Sequence, residues 1–194
     1  MPLILGSQSP HRRELLGYFN VPFVQIPSAF DEKEVVFQGD PKEYVQTLAE
    51  QKGRDLKQRH AKEVILTADT VVFLQGKIYN KPESAQQAFA MLKDLSGRWH
   101  SVFTAVSVQG EALHSEVQET RVLFHSLTDT QIDFYLKNSH FLDKAGSYTI
   151  QQAGGLLIEQ IIGCYYNVLG LPLSATRAVL LKAGIDLWQH LKPF

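Results

Sequence analysis

The chain has 194 residues, of which 44% are hydrophobic and 20% charged, a composition typical of one soluble globular domain or of two small lobes around a shared cleft. Its formal net charge of -1 argues against general nucleic-acid binding, which usually needs a basic excess, and its apolar runs are too short to span a membrane. Cys164 is the single cysteine, which excludes an intrachain disulfide, and with no signal peptide at the N-terminus we expect a cytoplasmic protein.

The N-terminal segment is the most informative stretch of the chain. The apolar run Leu3–Gly6 predicts a strand, and the residues after it predict a loop and then a helix with Ser9 as its cap and Pro10 in its first turn. Backbone amides and the positive end of the helix dipole then face the loop, where Arg12 and Arg13 can bind phosphate oxygens. The segment indicates a phosphate-binding loop, and the alternative is that the arginines form only a solvated face.

Strand and helix patterns alternate in the next part of the chain. Residues Pro22–Ile26 predict a short strand, and Asp40 and Pro41 predict the start of a helix whose apolar face is in register with Lys52. A lysine at such a position either sends its ammonium to solvent at the edge of the face or extends into a cleft.

The remaining elements complete a single α/β domain over residues 1–194, in which no stretch resembles a linker. In chain order they are a strand that ends at Asp69–Thr70 and is continued by Val71–Leu74, a helix capped by Ser84, a β-hairpin formed by residues 99–108 and 111–124, a helix that begins at Leu127–Thr128, a strand at Leu156–Ile162, and a helix between Gly170 and Gly184.

Asp69 is the first candidate for catalysis because it interrupts an apolar strand. A carboxylate in such a run must be paired, bound to a metal or exposed at a break in the strand, so it can act as a metal ligand or as a general base for a water. The alternative is a charge that ends the strand and bonds to a turn. Glu32 can supply a second oxygen ligand for Mg²⁺ or Mn²⁺, although the sequence alone favours a solvated acidic loop there. Lys81 can bind a phosphate, and a solvated loop is the equal alternative.

Other common catalytic patterns do not occur in the sequence. No serine lies in a Gly-x-Ser-x-Gly motif, no Gly-x-x-x-x-Gly-Lys-Ser/Thr loop occurs, and no two histidines have His-x-x-x-His spacing. The remaining pattern of basic groups and carboxylates in several loops favours metal-assisted hydrolysis of a phosphoanhydride.

Several short motifs occur along nearly the whole chain: Ser7-x-Ser9-Pro10-x-Arg12, Ala68-Asp69-Thr70-Val71, Lys81-Pro82, Leu95-Ser96-Gly97, Asp143-Lys144-Ala145-Gly146, Ile150-Gln151 and Gly170-Leu171-Pro172-Leu173. In this order they resemble the Maf family of nucleoside triphosphate pyrophosphatases. The resemblance implies an elongated α/β fold similar to the inosine triphosphate pyrophosphatases, with a mixed sheet and a central cleft between two lobes. It also implies hydrolysis between the α- and β-phosphates, with a divalent cation, to a nucleoside monophosphate and pyrophosphate.

The resemblance also implies roles for individual residues. The proton acceptor of the family falls on Asp69. The expected metal ligands are Asp69 and Glu32. The other polar residues of the site fall on Ser7, Arg12, Glu32, Lys52 and Lys81. One Maf subgroup resembles enzymes for dTTP and UTP, with Arg, Thr and Gln at three specificity positions, and another prefers a methylated GTP, with Trp, Gln and Glu. This chain has His11, Thr70 and Gln151 there, which favours the pyrimidine type.

The sequence departs from the family pattern at three residues and leaves two alternatives open. His11 replaces a permanent charge with a group that titrates near neutrality, and Thr149 and Gln152 stand where glycines are common in the family. The chain could instead be a nucleotide-binding regulator of cell division with slow or incidental hydrolysis. Tyr165 and Tyr166 could form a homodimer surface, although we favour packing in the core for both rings.

Overall fold

A computed structural model describes residues 3–193. The strands are β1 (Leu3–Gly6), β2 (Phe23–Gln25), β3 (Val64–Leu74), β4 (Lys77–Tyr79), β5 (Trp99–Gln109), β6 (Leu113–Phe124) and β7 (Ile158–Ile162). The helices are α1 (Pro10–Leu16), α2 (Pro41–Arg59), α3 (Ala85–Leu95), α4 (Asp129–Lys137), α5 (Tyr165–Val168) and α6 (Leu173–Lys182). Short 3-10 turns lie at Glu32–Glu34, Ala145–Ser147, Gln152–Leu157 and Leu187–His190.

The strands form one seven-stranded mixed sheet in the order β2-β1-β3-β5-β6-β7, with β4 paired to β3. Strand β1 is parallel to both β2 and β3, whereas β4 is antiparallel to β3 and β7 is antiparallel to β6. The predicted α/β class and mixed sheet are therefore confirmed. The elongated shape and the central cleft stay predictions.

The chain divides into two compact units, and neither is a continuous stretch of sequence. The first unit comprises the residues up to Asp69, Thr104–Gln118 and the residues from Gly170 onward, and the second comprises Thr70–Phe103 and Glu119–Leu169. Strands β3, β5 and β6 each contribute residues to both units. The single domain over residues 1–194 stays a prediction.

In the first unit, helix α2 packs closely against β1 because residue 6 has no side chain. A Cβ atom on Gly6 would lie 2.5 Å from Leu56 Cδ1 and 2.6 Å from Thr67 Cγ2, both closer than real Cβ contacts. The start of α2 is as predicted, since Asp40 Oδ1 accepts a hydrogen bond from the Lys42 amide at 2.7 Å and Pro41 occupies the first turn. The close approach brings α2 alongside the strands that lead into the polar residues described below.

In the second unit, the core contains a buried cluster of three rings. Phe124 packs edge to face on His100 and on Tyr148, with ring centroids 4.8 and 4.7 Å apart. His100 Nε2 and Tyr148 Oη share a hydrogen bond of 2.9 Å. Burial lowers the pKa of His100 to about 4 and raises the pKa of Tyr148, so both side chains are neutral at pH 7.

This cluster makes the stability of the protein depend on pH. Because the pKa of His100 is about 4 in the folded state, below its ordinary 6.5, the unfolded state binds the proton first as the pH falls. Stability is therefore lost between pH 6.5 and pH 4, and we expect this histidine to contribute about 3 kcal/mol to that loss. Urea unfolding at several pH values checks this, because the loss should be smaller by about this amount in His100→Gln. An equal loss in both proteins would contradict it.

Some predicted boundaries differ from those observed. The strand expected at Pro22–Ile26 is shorter, Phe23–Gln25, and the one expected at Leu156–Ile162 starts at Ile158 because Gln152–Leu157 form a 3-10 turn. The strand expected to end at Asp69–Thr70 instead runs without a break through Asp69 as part of β3.

The expectation that Tyr165 and Tyr166 pack in the core is wrong. Both rings are exposed, at 42% and 37% of their surface, and they contact each other edge to face at 5.7 Å. They are the first two residues of the short helix α5, in which only Asn167 is buried. Over residues 3–193, we find no helix with the length and apolar character needed to cross a membrane.

Candidate active site

The loop after β1, Ser7–Ser9, has its geometry fixed by hydrogen bonds to its backbone and side chains. Ser7 Oγ accepts from the Ser9 amide at 3.1 Å and from Arg12 Nη1 at 3.3 Å. Gln25 Nε2, on the neighbouring strand β2, donates to the Ser7 carbonyl at 2.7 Å. Ser9 caps α1 as predicted, with its Oγ 3.4 Å from the Arg12 amide. The loop is therefore held in place at the start of α1.

Arg12 connects this loop to two distant parts of the first unit. Its Nη1 donates to the Ala68 carbonyl at 2.7 Å, and its Nε donates to the Gly170 carbonyl at 2.8 Å. Burial lowers the pKa of the guanidinium, and the negative charges of Asp69 and Glu32 oppose that lowering. Since Ala68 directly precedes Asp69, the arginine fixes the backbone next to the candidate catalytic carboxylate.

Asp69 lies in the middle of β3 with 6% of its surface exposed, and it is paired. Lys52 Nζ on α2 contacts Asp69 Oδ1 in a buried ion pair and lies 2.7 Å from Glu32 Oε1. Lys52 is itself only 9% exposed, so it extends inward from the apolar face and does not reach solvent. One ammonium thus joins two carboxylates from different segments of the chain.

The position of this ion pair follows from the periodicity of the two elements that bear it. Thr67 and Asp69 are two residues apart and lie on the same face of β3, while Ala49 and Lys52 are three apart and share a face of α2. Thr67 Oγ1 donates to the Ala49 carbonyl at 2.7 Å. This hydrogen bond holds β3 against α2 next to the ion pair. The contact between Lys52 and Asp69 therefore follows from the packing of α2 on the sheet.

The oxygen atoms at this point suit a hard divalent cation. Within residues 3–193, no three or more His, Cys, Asp or Glu side chains are grouped to hold a metal. However, Glu32 Oε1 and Asp69 Oδ1 both contact Lys52 Nζ, so the two carboxylates lie close to each other. Mg²⁺ is commonly bound by one or two carboxylates, with water and substrate phosphates as its other ligands, and this donor set fits that pattern.

The predicted site residues are divided between the two units. The structure brings together five of them in the first unit: Ser7, Arg12, Glu32, Lys52 and Asp69. Also in the first unit, Arg13 is exposed, and His11 Nδ1 lies 3.9 Å from Glu14 Oε2. The other predicted residues belong to the second unit: Thr70, Lys81 and Gln151.

In the second unit, Lys81 and Gln151 belong to segments that are hydrogen-bonded to each other. Lys81 is exposed and follows Asn80, whose carbonyl accepts from the Gly146 amide at 3.2 Å. Gly146 has a φ of 67°, and a Cβ there would lie 2.9 Å from Val72 Cγ2, so the motif residue at this position must be glycine. Gly146 lies in the 3-10 turn Ala145–Ser147, and the chain continues from this turn through Tyr148 to Gln151.

The sequence did not predict three contributions to the site: the Gln25 side chain, the Thr67 hydroxyl and the Gly170 carbonyl. Alternation along the strand could have identified Thr67, because it points to the same side as Asp69. The Gly170 carbonyl belongs to a predicted motif, but a backbone acceptor gives no side-chain signal of its role.

Comparison with known proteins gives consistent matches over almost the full length. The sequence profile of the Maf family, described as "Maf-like protein", matches residues 2–183. A "dTTP/UTP pyrophosphatase" of Chlamydia caviae is 46% identical, with 97% of each chain covered. A protein of the same name from Clostridium kluyveri is 42% identical over 96% of this chain and 100% of its own, and a "Nucleoside triphosphate pyrophosphatase" of Chlamydia muridarum is 40% identical with 97% of each covered.

Proposed function

The chain belongs to the Maf family, and we propose that it hydrolyses dTTP and UTP to the nucleoside monophosphate and pyrophosphate. The observation that carries the proposal is the buried pair of Asp69 and Lys52 beside the loop held by Arg12. A carboxylate fixed in this way next to cationic groups suits proton removal from a water that attacks a phosphate. The names of relatives at 40–46% identity support the same reaction and substrates.

The roles of the residues in the first unit follow from their contacts. Asp69 takes the proton from the attacking water, and Lys52 orients its carboxylate through the ion pair. Arg12 holds the Ser7–Ser9 loop and adds positive charge for the phosphates, to which exposed Arg13 contributes from the next position on α1. Because Ser7 and Arg12 are already in place, little reorganisation is needed when substrate binds.

A divalent cation, Mg²⁺ or Mn²⁺, is part of the proposal. The positive charges of Arg12 and Lys52 are matched by the negative charges of Asp69 and Glu32, so these four groups together leave the charge of a triphosphate uncompensated. Glu32 and Asp69 would hold the metal, whose chemistry is to neutralise charge on the α-phosphate and on the leaving pyrophosphate.

The proposed roles in base and phosphate recognition rest on the family resemblance of individual positions. Gln151 pairs with the pyrimidine edge, because its amide offers one acceptor and two donor hydrogens. Thr70, next to Asp69 in the chain, and His11, which follows the Ser7–Ser9 loop and Pro10, act with it in substrate choice. Lys81 binds a phosphate of the substrate.

We also propose a cytoplasmic homodimer that binds a small nucleotide and neither nucleic acid nor membranes. The single cysteine and the nucleotide substrate support the compartment. The exposed rings of Tyr165 and Tyr166 support the dimer, because clustered exposed aromatic residues are typical of protein interfaces.

Pyrophosphate release from a panel of nucleoside triphosphates tests the function directly. We expect dTTP and UTP to be hydrolysed fastest with Mg²⁺ or Mn²⁺, with pyrophosphate and the monophosphate in equal amounts, and we expect EDTA to abolish the reaction. Release of inorganic phosphate instead would contradict cleavage between the α- and β-phosphates. Nucleotide binding without any hydrolysis would favour the alternative function, a regulator that only binds nucleotides.

A further inference from the structure

The backbone of Gln151 is held on both sides by its own segment. Its amide donates to Thr149 Oγ1 at 3.2 Å, and its carbonyl accepts from the Gly154 amide at 3.0 Å. Both polar groups of this backbone unit are therefore bonded within the second unit, and the conformation of Gln151 depends directly on the Thr149 hydroxyl.

Thr149 is itself fixed by neighbours on two sides. Its amide donates to Tyr135 Oη on α4 at 3.1 Å. Its carbonyl faces Gly154 so closely that a Cβ on that glycine would lie 1.8 Å from the oxygen. The preceding residue, Tyr148, is 5% exposed and is hydrogen-bonded to His100. The backbone that carries the Thr149 hydroxyl is thus held by contacts on both sides of the residue.

The following residue shows that the local backbone is constrained. Gln152 has a φ of 54°, in the left-handed region that non-glycine residues seldom adopt because it is strained for them. Such a conformation persists only where its surroundings determine it. The contacts of Thr149 and Gly154 supply those surroundings on either side of Gln151 and Gln152.

We propose that Thr149 is a positioning residue that fixes Gln151 for recognition of the pyrimidine base; this rests on the proposed function. Glycine, which is common at this position in the family resemblance, has no hydroxyl and could not accept the Gln151 amide. A recognition residue that is already ordered loses less conformational entropy when the ligand binds. The threonine therefore strengthens binding of the base without taking part in the chemical step.

The test compares Thr149→Val, which keeps the shape but removes the acceptor, with Thr149→Ser, which keeps the acceptor. In Thr149→Val we expect KM for dTTP and UTP to rise by roughly two- to tenfold, the usual range for one hydrogen bond, with kcat unchanged. The preference for dTTP over dGTP should fall by the same factor. The Gln151 amide, followed by hydrogen exchange, should exchange faster in Thr149→Val than in the wild type. Thr149→Ser should resemble the wild type in every measurement.

Controls separate this proposal from the proposed function. Thr130→Val, at an exposed threonine on α4, should behave as the wild type, whereas Gln151→Glu should change the base preference through the side chain itself. If Thr149→Val keeps the wild-type KM and selectivity, or if Thr149→Ser is equally impaired, the positioning role is wrong while the function stands. If the wild type neither binds nor hydrolyses dTTP, both proposals fail. Should Thr149→Val not fold, Thr149→Ala replaces it.

Discussion

Replacing Asp69 with asparagine is expected to lower kcat for dTTP by about 10²- to 10⁴-fold, the usual contribution of a general base. Asparagine has nearly the same shape but cannot take a proton from water. Lys52 keeps Glu32 as an ion-pair partner in this variant, at 2.7 Å, and Arg12 keeps its bond to the Ala68 carbonyl. The loss should therefore arise from the chemistry and not from a disordered site.

Single-turnover measurements of pyrophosphate release, at saturating dTTP and Mg²⁺, give the size of this effect. The matched control is Asp94→Asn, which removes a carboxylate of the second unit that accepts from Lys77 and Tyr79 at 3.0 Å each. That variant should keep wild-type turnover. Wild-type turnover in Asp69→Asn would rule out its role as the base.

Replacing Lys52 with methionine is expected to lower the free energy of unfolding by about 3–5 kcal/mol, the usual cost of removing one partner from a buried ion pair. Asp69 is 6% exposed and would keep a buried negative charge without its ion-pair partner. Methionine fills a similar volume, so lost packing makes only a small contribution.

Urea unfolding of both single variants and of the double variant Lys52→Met/Asp69→Asn measures this coupling. The double variant should be more stable than Lys52→Met alone, because it removes the uncompensated charge. Lys77→Met is the control at an exposed pair, since Lys77 and Asp94 have side chains 63% and 45% exposed, and its cost should stay below about 1 kcal/mol. Equal costs for Lys77→Met and Lys52→Met would contradict the assignment of a buried pair.

Local chemistry explains why the helix starts were predictable. Ser84 caps α3 through the Gln87 amide at 3.2 Å, and Thr128 forms a capping box with Gln131 on α4. These contacts join residues at most three positions apart, so the local sequence is sufficient to predict them. The spacing of Lys52 on an apolar face and the interruption of an apolar strand by Asp69 were visible for the same reason.

Other parts of the site depend on contacts that the sequence does not encode locally. Arg12 donates to backbone carbonyls 56 and 158 positions along the chain, and any residue type can supply a carbonyl. The division into two units could not be predicted from the sequence either, because strands β3, β5 and β6 contribute to both units and no linker separates them. Their boundaries arise from tertiary packing, which local composition does not reveal.

The hydrogen bond from Arg12 to the Gly170 carbonyl also has a consequence for synthesis on the ribosome. The arginine leaves the exit tunnel before its acceptor, which lies 158 residues further along the chain. A nascent chain therefore cannot complete this connection until Gly170 has left the tunnel, so the Ser7–Ser9 loop, to which Arg12 is bonded, acquires its final bonding only after that point.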